Sequence, residues 1–72
     1  MGNKNNTILQ PDKNEVAMVK LLAAGMTGED VCIALKIKPH DLGFSLSVLR
    51  SKYNCKNSTE LVAVFLREGF ID

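Results

Sequence analysis

The chain is short of the residues that let a very small protein manage without a well-packed interior. Its 72 residues include no tryptophan, one tyrosine, three phenylalanines and two cysteines. Cys32 and Cys55 cannot supply the dense disulfide framework of a small secreted domain, and no signal-peptide pattern precedes them. A reducing, cytoplasmic setting is therefore expected. No apolar run approaches the roughly 18 residues that span a bilayer, which excludes a transmembrane helix and leaves no membrane partner to expect. A single histidine, His40, and two separated cysteines make no zinc-ligand spacing, and no glycine-rich phosphate loop is present. Neither metal nor cofactor is expected. His40 has no serine or cysteine neighbour with which to form a nucleophile–base pair, so the chain does not read as an enzyme. An excess of one charge is also missing: the formal net charge is +1, which by itself does not advertise a nucleic-acid binder.

What is present is globular composition, 46% hydrophobic with 24% charged residues. One small domain is all that this length accommodates. Residues 1–11 read as a flexible N-terminal arm, with Ile8 and Leu9 tucked onto the domain, and residues 12–72 as the domain itself. Asp12 and Glu15 form a capping-box pattern that opens a first helix, whose inner arc holds Val16, Met18, Val19, Leu22 and Ala23. Gly25 suits its end. Thr27 opens a second, short helix with Val31 and Leu35 inward, and Lys36 stands where a helix-ending glycine would sit most easily. Pro39 is tolerated in the first turn of a third helix, along which Leu42, Leu46, Leu49 and Tyr53 form a core stripe. Asn57 and Glu60 cap a fourth helix, which Gly69 ends, leaving Phe70, Ile71 and Asp72 as a tail. The expected fold is all-α, four short helices with no strand.

The fourth helix carries six consecutive apolar residues, Leu61 to Leu66. Such a run covers the whole helical circumference, and one small core cannot take it all. Val62 and Leu66 on the outer side are the expected interface of a homodimer. Both cysteines read as buried apolar thiols.

The segments Leu21-Leu22-Ala23-Ala24-Gly25-Met26-Thr27, Asp30-Val31, Leu35-Lys36-Ile37-Lys38-Pro39 and Asn57-Ser58-Thr59-Glu60-Leu61-Val62 resemble, in order and without a gap, the LuxR/GerE helix-turn-helix domain. The resemblance extends over residues 11–72. It implies a transcription regulator in which the second helix props the third, the third enters the major groove of double-stranded DNA, and the fourth dimerises.

With Leu42 inward, the opposite face of the third helix carries His40, Gly43, Phe44, Ser47 and Ser51. Base edges are read best by Arg, Lys, Asn or Gln. The family commonly has a lysine at the position of Gly43, polar residues at Phe44 and Ser45, and a basic residue at Ser47, so this face is smaller and more apolar than the family's. Ile33 likewise takes a charged position on the outer side of the second helix. Charge, in contrast, is concentrated where a duplex would lie. Between residues 36 and 56, Lys36, Lys38, Arg50, Lys52 and Lys56 oppose Asp41 alone, giving +4, whereas the other four cations and seven acids give −3. Lys36, Lys38, Lys52 and Lys56 are thus the expected phosphate ligands, and His40, Gly43, Phe44 and Ser47 the groove-facing residues. The alternative is a helix-turn-helix fold kept for protein contact. It would bind a partner, such as another helix-turn-helix regulator, through Phe44, Val48 and Ile33 or through the fourth helix, with little or no DNA binding.

Overall fold

The structure, a computed structural model, describes residues 9–72. Residues 1–8 of the expected arm, Ile8 included, lie outside the described residues. Four helices follow in order: α1 (Lys13–Ala23), α2 (Gly28–Leu35), α3 (Pro39–Lys52) and α4 (Ser58–Arg67). The architecture is all-α, and no strand occurs among the described residues.

Three of the four helix starts are closed by side chains, which accept from backbone N–H groups that the helix itself cannot satisfy. Asp12 Oδ1 accepts from the Glu15 N–H at 2.8 Å, and Glu15 Oε1 accepts from the Asp12 N–H at 2.9 Å, completing the capping box. Thr27 Oγ1 accepts from the Asp30 N–H at 3.2 Å. Asn57 Oδ1 accepts from the Glu60 N–H at 2.8 Å, while Glu60 reaches past the cap to the Lys56 N–H, also at 2.8 Å. α3 begins differently. Lys38 offers no side-chain cap, and Pro39 at the first position removes one donor that would otherwise need a partner.

The turn between α2 and α3 is built on Lys36, which adopts the left-handed conformation at φ 58°. The N–H groups of Lys36 and Ile37 both point at the Cys32 carbonyl. Gly25, at φ 92°, turns the chain out of α1.

Each helix packs on two others, α1 on α2 and α4, and α3 on α2 and α4, so the four close around one core. Val19, Val31, Leu49, Leu61 and Phe65 are fully buried, at least one from every helix. Met18, Leu42 and Leu46 are buried with them, while Val16 and Leu22, also expected inward, are half-buried and pack against this core. Tyr53 lies just past the end of α3, half-buried, with its ring edge-on to Phe65 at 5.4 Å.

Several expectations need correction. Ala23 is exposed: it is the last residue of α1, and the chain turns away at Ala24 and Gly25. Leu9 does not tuck its side chain in; 60% of it is exposed, and the attachment is made by its carbonyl, which accepts from the Tyr53 hydroxyl at 2.8 Å. Cys32 is buried, but Cys55 sits in the link between α3 and α4 and is only half-buried. Residues 70 and 71 are not a free tail. The N–H groups of Phe70 and Ile71 return to the Phe65 carbonyl, the Phe70 ring packs edge-on to Phe65 at 5.2 Å, and Ile71 is buried. As expected, the core does not take all of α4: Leu61, Val64 and Phe65 are buried and Ala63 and Leu66 are exposed, but Val62, expected on the outer side, is half-buried.

Candidate nucleic-acid interface

α3 is the longest helix, 14 residues or about 21 Å at 1.5 Å per residue. Its inner stripe, Leu42, Leu46 and Leu49, is held by the core. At 100° per residue, His40, Gly43, Phe44 and Ser47 fall within an arc of about 100° on the other side. All four are exposed, as is Ser51. Phe44 leaves 68% of its surface open to solvent, an unusual position for an aromatic ring in so small a domain. A Cβ added at Gly43 would meet nothing within 4 Å, so the glycine is not required by packing.

The cations divide into two groups at the ends of this helix. Lys36 and Lys38 are exposed at the turn leading into α3 and form no ion pair among the described residues. The first-turn N–H groups beside them have no side-chain cap. Lys56 is exposed beyond the other end, next to the Asn57 cap. Lys52 is placed differently. Its ammonium lies 3.3 Å from both carboxylate oxygens of Glu15 and 5.7 Å above the Tyr53 ring, bracing the end of α3 against the start of α1.

The Glu15 carboxylate therefore has two partners: the Asp12 N–H of the α1 cap and the Lys52 ammonium. Its sequence position reveals only the cap, because a residue 37 positions away supplies the ion pair. On α4, Leu66 is 48% exposed, whereas Val62 already packs partly against the core, so the two expected interface residues are not equally available. Ile33 stands out from α2 with 70% of its surface exposed.

Burial raises the Tyr53 phenol above its ordinary value of 10.0; Glu15 and Asp12 raise it further, and Lys52 opposes them. The Cys55 thiol is also raised, mainly by burial and then by Glu60, which disfavours a reactive thiolate. Among the described residues no group of three His, Cys, Asp or Glu side chains is gathered as a metal-ligand set. No helix among them is long and apolar enough to cross a membrane. Comparison of the chain with family models, with curated proteins and with solved structures gave no match.

Proposed function

We propose that this chain is a small, cytoplasmic transcription regulator of the LuxR/GerE helix-turn-helix kind that binds double-stranded DNA as a dimer. The observation that carries the reading is the outer face of α3, open along its length, with unpaired lysines at its start and another beyond its end. Lys36, Lys38 and Lys56 contact phosphates, and the uncapped N–H groups at the start of α3 receive another. His40, Phe44 and Ser47 face the bases, and Gly43 lets the backbone come close. Lys52 joins the phosphate ligands only by leaving Glu15. Two chains meet through Val62 and Leu66 of α4, setting their α3 helices about one DNA turn apart. The face offers few groups that distinguish base pairs, so backbone contacts dominate and sequence discrimination is modest.

Titration with random-sequence duplex tests this reading. Affinity is expected to fall steeply as salt rises from about 50 to about 200 mM, through release of counterions. A Lys36→Ala/Lys38→Ala double variant lowers the slope of log affinity against log salt by about 2. Absence of duplex binding at the lowest salt refutes the proposal.

A second reading is favoured by the exposure of Phe44 and Ile33, two large apolar side chains that a duplex does not need. In it, the Phe44, Val48 and Ile33 surface, or α4, holds a partner protein such as another helix-turn-helix regulator. Co-purification of such a partner, abolished by Phe44→Lys, supports it.

A further inference from the structure

Between α1 and α3 the surface sinks into two adjoining hollows of about 250 and 310 Å³, which share Asn14, Met18 and Ser45. One has Phe44 and Val48 as its apolar wall; the other has Leu35 and Ile37. The charged residues around them are Asp12, Glu15 and Asp41, with no cation in the lining. Glu15 is offset by Lys52 at 3.3 Å, but neither Asp12 nor Asp41 has an ion-pair partner among the described residues. The region thus has a sign opposite to that of the α3 ends. A duplex would bring phosphates against carboxylates here. Each hollow is at or below the small end of ligand pockets, about 300 Å³, and partly open to solvent, which suits side chains of a peptide better than a compact small molecule.

We propose that this groove docks a cationic amphipathic helix of a partner protein. Two apolar side chains one helical turn apart enter the two hollows, and lysines or arginines beside them face Asp12 and Asp41. This is the helix-in-groove mode, with apolar anchors supplying affinity and the acidic rim selecting the sign of the partner. Phe44 is shared between the groove wall and the outer face of α3, so the partner and a duplex exclude each other there. The inference deepens the protein-contact reading and does not depend on DNA binding.

The test titrates the 72-residue chain, observed by NMR, with two synthetic helical peptides. One is built of leucine and lysine with leucines at i and i+4; the other replaces every lysine by glutamate. The leucine–lysine peptide is expected to bind and to shift the Met18, Phe44 and Val48 signals. Phe44→Ser weakens it about tenfold, as expected for loss of an aromatic anchor, and Asp41→Lys weakens it as well. Since both positions are exposed, both variants should keep their helical circular dichroism. Equal binding of the glutamate peptide, shifts elsewhere, or full affinity in both variants overturns the proposal. If a helix-turn-helix partner is still captured through Phe44 while the leucine–lysine peptide fails, the protein-contact reading survives and this groove is not its site. Movement of the Met18 and Val48 signals without peptide, in Lys4→Glu or with rising protein concentration, also overturns it. The occupant is then the chain's own N-terminal segment in the first case and a second copy in the other.

Discussion

Tyr53, the only tyrosine, joins three parts of the molecule. Its hydroxyl donates to the Leu9 carbonyl, its ring packs on Phe65 and Phe70, and the Lys52 ammonium lies over it. Folding raises its pKa, so the neutral phenol is favoured in the native state. The stability linked to it is complete below the ordinary value of 10.0 and is lost as pH rises through the higher native value. Thermal melts from about pH 8 to about pH 11 should show an alkaline loss that Tyr53→Phe reduces. At neutral pH the same variant should be less stable by about 1 kcal/mol, the usual net contribution of one hydrogen bond. Lys36 gives a second residue-scale prediction. Its left-handed backbone suits glycine, so Lys36→Gly should raise stability by about 1 kcal/mol in urea unfolding. On the DNA reading it simultaneously weakens duplex binding, a pairing of gain and loss that misfolding cannot produce.

At the scale of elements, α4 and the residues after it form one unit. The helix buries Leu61, Val64 and Phe65, and the chain then folds back so that Ile71 enters the core beside them. A core of this size supplies only about 3–5 kcal/mol in total, and removing a buried isoleucine side chain typically costs about 2 kcal/mol or more. Ile71→Ala should therefore lower the urea midpoint sharply, whereas Asp72→Ala, one exposed residue later, should leave it in place. The starts of α1, α2 and α4 were readable from Asp12, Thr27 and Asn57, because a cap bonds to a residue three positions away and needs no tertiary partner. The fate of residues 70 and 71 was not readable, because it depends on a space that α1 to α4 create only when packed.

For the whole molecule, the near-neutral net charge conceals a division. Lys36, Lys38 and Lys56 lie at the ends of α3, whereas Asp12, Glu15 and Asp41 gather along the α1–α3 groove. On the proposed dimer, Leu66 carries more of the interface than Val62, since Val62 is already partly used by its own core. Sedimentation should show dimers for the natural chain and monomers of unchanged helicity for Leu66→Glu. A natural chain that sediments as a monomer at every concentration removes the dimer from the proposal.

The sequence by itself determined the four helices, their caps, the inner stripe of α3 and the left-handed turn at Lys36, because each depends on neighbours within one or two turns. It also placed the cations at the two ends of α3. Only the tertiary structure decided which were available. Lys52 and Lys56 look alike along the chain and both are exposed, yet Lys52 is paired with Glu15 from another helix and Lys56 has no ion pair among the described residues. The same holds for the six apolar residues of α4, of which three are buried in the core, Val62 is half-buried against it, and Ala63 and Leu66 stay exposed. Periodicity tells which side of a helix is apolar; how much of that side is covered depends on which other helices arrive and where the chain returns.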